Sequence, residues 1–261
     1  MSEEKRIALL IDAENVSAQY ADSILDEVSN YGVCTYKRIY GSWDKIVQTK
    51  WEKELNKNSL KAMMQMNNTR GKNASDSALI IDAMDILYTR NVEGFCIVSS
   101  DSDFTSLARR LMESGMMVIG MGESDKATEA LENAYDKFVY IDVIAHQAEE
   151  ERKKEDKIKP ARSAATKAKA GTDPSKDKTG NIPSKKNVEN RIKQIIMEND
   201  DKSKPTDLGQ IGSKLNNTFK NFDVRYYGKK YLKDFVKDLK SLQLDDTDGN
   251  LVYVSIRKKT K

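Results

Sequence analysis

Three short segments hold aspartates that could act together. Asp12 follows the apolar run Ile7-Ala8-Leu9-Leu10-Ile11, in Ile11-Asp12-Ala13-Glu14-Asn15. Asp76 closes Lys72-Asn73-Ala74-Ser75-Asp76, and Asp101 and Asp103 follow a second apolar run in Val98-Ser99-Ser100-Asp101-Ser102-Asp103-Phe104. In an open parallel sheet, ligands sit beyond the carboxyl ends of the strands, where the strand order reverses. Two such strand ends supply three carboxylates, and Asp76, in the first turn of a helix, adds a fourth. Like charges gathered in one cleft repel, and a hard divalent cation with oxygen ligands, Mg2+ or Mn2+, is the natural counter-ion. Such an ion lowers the pKa of bound water and neutralises an attacked phosphate, the two needs of phosphodiester hydrolysis. Any one of these aspartates alone is as well explained as a helix cap or turn residue. Glu14 points ambiguously and stays outside the set. Asp82 and Asp85 lie about 240° and 180° around the helix from Asp76, as solvated or paired groups.

Other chemistries are excluded by what the chain lacks. Its single histidine, His146, falls in a highly charged segment, which rules out a zinc site or a Ser-His-Asp triad. Cys34 and Cys96 each sit in an apolar strand-like run without a close metal-ligand partner, as expected of buried thiols in a reducing compartment. No run of about 18 apolar residues occurs, and the N-terminus lacks a signal-peptide core, so the expectation is a soluble cytoplasmic protein without a membrane partner.

The elements that must position the aspartates follow from periodicity. Apolar runs predict strands at 33–40, 60–66, 95–99, 117–121 and 138–141 after the first, alternating with helices near 45–57, 75–89, 104–113 and 127–133 and one after the first strand. This alternation implies an α/β fold: a mostly parallel Rossmann-like sheet with helices on both faces, over residues 1–145. A charged stretch from His146, short helix then flexible basic linker, fills 146–186. Apolar periodicity returns at Val188, Ile192 and Ile195, at Leu208, Ile211 and Leu215, and at Tyr231, Leu232, Phe235, Leu239 and Leu242. A strand pair turned at Asp248-Gly249-Asn250 follows. Three helices and a hairpin over 187–261 describe a winged-helix module. Residues 1–145 hold 16 Lys+Arg against 23 Asp+Glu, a net charge of −7, whereas 146–261 hold 28 against 18, a net +10. The acidic half repels a polyanion, and the basic half attracts one.

The three aspartate segments resemble the signature segments of NYN domains of the LabA-like kind, within the PIN superfamily, over residues 5–145 and in the family's order. The family position before the first aspartate of Ser-Asp-Ser-Asp-Phe is often glycine; here it is Ser100. The resemblance implies a ribonuclease acting on single strands with Mg2+ or Mn2+, its acidic site made of Asp12, Asp76, Asp101 and Asp103. Asn15 would orient the first aspartate or contact the scissile phosphate. Arg70 and Lys72, just before Asp76, are placed to hold the substrate backbone. Further on, Asn221-Phe222-Asp223-Val224-Arg225-Tyr226-Tyr227-Gly228-Lys229-Lys230-Tyr231-Leu232 resembles the characteristic part of OST-HTH or LOTUS domains, which implies RNA binding. Arg225, Lys229, Lys230 and Lys233 would supply cations for phosphates, and Tyr226 and Tyr227 rings for stacking; buried tyrosines are the plain alternative. The working expectation is a ribonuclease whose basic module recruits RNA. Its rivals are a non-catalytic RNA-binding adaptor, a winged helix that binds a protein partner, and a phosphatase-like hydrolase. The last places a second aspartate two residues after the first, where this chain has Glu14.

Overall fold

The structure, a computed structural model, describes residues 4–65, 74–158, 182–198, 206–245 and 251–257. Arg70 and Lys72, and most of the expected linker, lie outside the described residues. The chain divides into two compact units, Met1–Tyr135 with Val139–Gly180 and Asp136–Phe138 with Asn181–Lys261.

The larger sheet has six strands. Its strands are β1 (Arg6–Asp12), β2 (Val33–Ser42), β3 (Lys61–Gln65), β4 (Gly94–Val98), β5 (Met117–Gly122) and β6 (Lys137–Tyr140), in the order β3-β2-β1-β4-β5-β6. The β1–β2, β1–β4, β2–β3 and β4–β5 pairings are parallel. Ile7 through Ile11 and Phe95 through Val98 are completely buried, as strands covered on both faces must be. Between these strands run α1 (Ala21–Ser29), α2 (Trp43–Val47), α3 (Trp51–Asn58), α4 (Ala74–Thr89), α5 (Thr105–Glu113) and α6 (Glu129–Asn133).

Local chemistry decides several boundaries. The single helix expected over 45–57 is two, because the Thr49 hydroxyl donates to Lys45 O at 2.6 Å and accepts from Trp51 N at 3.3 Å, ending one helix and starting the next. Gly32 precedes β2 with φ +155°; a Cβ there would lie 2.1 Å from Lys5 O, so only glycine allows the approach by which Val33 N reaches that oxygen at 2.8 Å. The β1–β2 ladder pairs Ile7 with Cys34 and Ala8 with Tyr36, leaving Thr35 as a bulge. The short helix expected after His146 belongs to α7 (Ile141–Ile158), which begins in the core at Ile141 and Ile144 and crosses residue 145. Truncating a core strand residue such as Leu9 to Ala would cost about 2–5 kcal/mol.

The second unit contains α8 (Lys185–Met197), capped by the Ser184 hydroxyl, and α9 (Leu208–Thr218), capped by Asp207. A 3-10 turn at Val224–Tyr227, capped by Asp223 and closed by Gly228 at φ 70°, leads to α10 (Leu232–Lys237). The third helix is therefore shorter than the apolar run to Leu242 suggests. Leu239 and Leu242 still enter the core, from a turn and from a strand. The sheet has three strands, β7 (Thr206–Asp207), β8 (Leu242–Asp245) and β9 (Tyr253–Ile256), in antiparallel order β7-β9-β8; the two-residue β7 was not foreseen. The hairpin turn expected at 248–250 lies outside the described residues. Three helices and a small antiparallel sheet around Val188, Ile192, Ile211, Leu215, Phe235 and Val254 form a separate C-terminal winged-helix domain.

Candidate active site

β1 and β4 are neighbours, and the chain leaves them toward opposite edges of the sheet, through β2 and β3 on one side and β5 and β6 on the other. Their carboxyl ends form a topological switch point. Asp12 is the last residue of β1 and is 1% exposed. Its Oδ1 accepts from the backbone N–H groups of Glu14 (2.9 Å) and Asn15 (3.3 Å); its Oδ2 accepts from Asn15 Nδ2 (2.7 Å) and the Ser99 hydroxyl (2.8 Å). Four donors match the four lone-pair positions of a carboxylate and offset its burial. Asn15 thus binds Asp12 through both its side-chain amide and its backbone N–H.

The loop after β4 is pinned in the same way. Fully buried Ser99 accepts from Asp101 N at 3.0 Å, Asp101 Oδ1 accepts from Asp103 N at 2.9 Å as the cap of the 3-10 turn Ser102–Phe104, and Ser100 Oγ accepts from Glu123 N at 2.9 Å. Asp101 is half-buried and Asp103 exposed.

Asp76 lies in the first turn of α4, as expected. Next to it, buried Ser75 donates to Glu14 Oε1 at 3.0 Å, and Ser42 N reaches the same oxygen at 3.2 Å. Loss of water, and then the charges of Asp12, Asp101, Glu14 and Asp103, push the Asp76 carboxyl up to about 6. The Asp76 carboxylate has no hydrogen bond or ion pair among the described residues. The fold therefore brings Asp12, Asp76, Asp101 and Asp103 within electrostatic reach of one another and adds Glu14. Sequence reasoning missed Glu14, because its direction depends on the turn after β1 and on a serine 61 residues away. Ser99 was also missed; a hydroxyl at the buried end of a strand, next to two aspartates, was the available signal.

Among the described residues, no three His, Cys, Asp or Glu side chains are placed so that they could hold a metal ion as they stand. The donors fit a hard divalent cation in kind, being all oxygen and short of positive charge. Holding one would require Asp76, Asp101 and Asp103 to turn toward a common point.

Sequence comparison matches the NYN domain family to residues 6–142. The chain belongs to the NYN family. An OST-HTH/LOTUS domain follows at residues 183–253. Among curated proteins, an uncharacterised protein of Methanocaldococcus jannaschii is 26% identical over 166 residues, 60% of this chain. The match spans 62% of that relative's length. A crystal structure of a protein of unknown function from Vibrio parahaemolyticus is 20% identical, covering 54% of this chain and 95% of that one at a TM-score of 0.45.

In the OST-HTH/LOTUS domain, three of the expected RNA contacts are committed within the domain itself. Arg225 grips Asp223 with Nε at 3.0 and 3.1 Å and Nη2 at 2.6 Å. Burial pushes the Asp223 carboxyl up, and the guanidinium more than offsets this, holding it below the usual range. Lys229 Nζ lies 2.5 Å from Asp238 Oδ2. Tyr227 donates its hydroxyl to Pro183 O, and its ring centroid lies 4.8 Å from Phe235 and 6.1 Å from Phe222. Burial holds its hydroxyl protonated. Tyr227 is half-buried and packs against the core of the domain. Tyr226 and Lys233 are half-buried, Lys230 is exposed, and the unforeseen aromatic is Tyr231, 60% exposed with Lys230 Nζ 5.8 Å above its ring. Periodicity puts Tyr231 among the apolar positions of the third helix; it is instead the residue before α10.

Proposed function

We propose that the chain is a divalent-cation-dependent ribonuclease of the cytoplasm that hydrolyses phosphodiester bonds, with the OST-HTH/LOTUS domain recruiting the RNA. The carrying observation is Asp76, held at the switch point of the sheet amid four other carboxylates with its own carboxyl raised to about 6. Acidic residues brought together without a counter-ion mark a cation site. Asp12, Asp76, Asp101 and Asp103, with Glu14, would hold Mg2+ or Mn2+; when bound, the ion would activate water and offset charge on the attacked phosphate. Asn15 and Ser99 would fix Asp12, whose Oδ2 meets an ion only where one of their hydrogen bonds yields. Ser75 and Ser42 would fix Glu14 beside Asp76. Arg70 and Lys72 would hold the backbone of the entering strand. In the second domain, Lys230, Lys233, Tyr226 and Tyr231 would face phosphates and bases, and Arg225, Lys229 and Tyr227 would shape the surface that presents them.

A second reading, an RNA-binding adaptor without catalysis, is favoured by the saturated hydrogen bonding of Asp12 and by carboxylates that do not yet converge on an ion. Labelled single-stranded RNA, incubated with the full chain with and without Mn2+, separates the two. Cleavage that requires Mn2+ and is lost in Asp101→Asn supports the nuclease. Tight binding without cleavage supports the adaptor, and RNA binding absent at low salt turns the winged helix toward a protein partner.

A further inference from the structure

On β2 the residues paired with Ala8, Leu10 and Asp12 are Tyr36, Arg38 and Tyr40. Alternation along the strands puts this set on one face of the sheet, the face that bears Asp12. α4 packs over β1 and β2, and Asp82, from the second turn after Asp76, comes down on this row. Its Oδ1 receives the Arg38 guanidinium and its Oδ2 the Tyr40 hydroxyl. The Arg38 and Asp82 side chains are 17% and 15% exposed, and Tyr40 is 1% exposed. Tyr40 is also bonded to the strand end that carries Asp12: its carbonyl accepts from Ala13 N at 2.8 Å. One residue thus ties α4, through Asp82, to the turn that orients Asp12.

We propose that the Arg38–Asp82–Tyr40 contact is a positioning device that sets the rotation and height of α4, and so presents Asp76 to Asp12 and Asp101. The inference rests on the cation-dependent reading of that site. The geometry suits the role. Asp76 and Asp82 are six residues apart on one helix, about 9 Å along its axis, so a small roll about the Asp82 anchor moves the Asp76 carboxyl sideways. Among the described residues, the side-chain hydrogen bond at the near end of α4 is the one from Ser75 to Glu14. An exposed pair would contribute little. This one is shielded, its tyrosine stays protonated because burial and the neighbouring carboxylate push its pKa up, and Arg38 remains charged because Asp82 more than offsets its desolvation. Tyr40 and Arg38 thus keep the protonation states that the contact needs.

The test measures Mn2+ affinity directly, by electron paramagnetic resonance of the free ion, on the full chain and on Tyr40→Phe and Asp82→Asn. Val139→Ala, a core truncation in β6, serves as a control for stability loss alone. The expected result is a loss of about 10-fold or more in Mn2+ affinity for both variants, as for groups that orient ligands without touching the ion. Val139→Ala should bind Mn2+ as the wild type does, at an equal or greater loss of thermal stability. The double variant should be little worse than either single one, since both act through one contact. Wild-type affinity in both Tyr40→Phe and Asp82→Asn overturns the positioning role while leaving the cation site standing. A wild-type chain that binds no Mn2+ overturns both. Should Asp82→Asn unfold, Tyr40→Phe, which removes one oxygen from a buried ring, decides alone.

Discussion

Two places in the molecule treat charge in opposite ways. At the carboxyl edge of the parallel sheet, Asp76 faces four other carboxylates and no cation within reach of an ion pair among the described residues. In the winged-helix unit, cations that look available in the sequence are spent on local acids, as Arg225 on Asp223, Lys229 on Asp238 and Lys193 on Glu189. A charge matched by its own fold tells of architecture. A charge left unmatched among the described residues, as at Asp76, is the feature that the proposed cation would answer.

The sharpest way to break this contrast is Asp101→Asn, which keeps shape and removes charge. It should lower Mn2+-dependent cleavage at least about 100-fold, since even outer groups of metal sites cost up to that much, with the circular dichroism spectrum unchanged. Turnover equal to wild type removes Asp101 from the site. Next in size, Arg225→Ala strands the shielded Asp223 carboxylate and should destabilise the second unit by about 1–3 kcal/mol. The loss would be read as faster hydrogen exchange across α8 and α10, with Mn2+ affinity of the first unit unaltered.

A smaller effect links the unmatched charge to pH. The Asp76 carboxyl is raised from 3.8 to about 6, so the native state holds this proton more tightly than the unfolded chain does. Its contribution is present below about pH 4 and is lost as pH rises through about 6. In chelator, Asp76→Asn should therefore stabilise the protein at pH 7.5, by about 1 kcal/mol once solvent screening of a half-buried group is allowed for. That gain should vanish near pH 4. A melting temperature unchanged by Asp76→Asn at pH 7.5 would show that the acidic cluster is not under strain. Smallest of all, replacing Lys229 and Lys230 together by Ala should flatten the slope of log RNA affinity against log salt by about 0.7, the share of one phosphate contact to a single strand. A change of twice that size would mean that Lys229 leaves Asp238 to meet RNA.

How much of this was legible in sequence varies with the range of the interactions. The central strands were plain because Ile7–Ile11 and Phe95–Val98 are buried on both faces, and short unbroken apolar runs between turn residues follow directly from such burial. Asp12, Asp101 and Asp103 were legible as strand-end residues for the same reason. The division of one helix at Thr49 was hidden, because a hydroxyl that bonds to the backbone leaves no periodic trace. Glu14, and the partners of Arg225 and Lys229, depend on which side chains the finished fold sets face to face. Asp82 shows the limit most clearly: its angle around α4 marked it as solvated or paired, and only the register of β2 revealed Arg38 and Tyr40 as its partners.

The bulge at Thr35 has a consequence for how this chain can change in length. Thr35 is the exposed, unpaired residue between Cys34, opposite Ile7, and Tyr36, opposite Ala8. Losing one residue there leaves a regular ladder, with Arg38 and Tyr40 still on the face of Asp12. Losing one residue two positions later, at Lys37, moves either the segment before the gap or the segment after it to the opposite side of the sheet. Lineages could therefore shed or regain a residue at Thr35 without disturbing the acidic edge, whereas the rest of β2 is bound to its present count of residues.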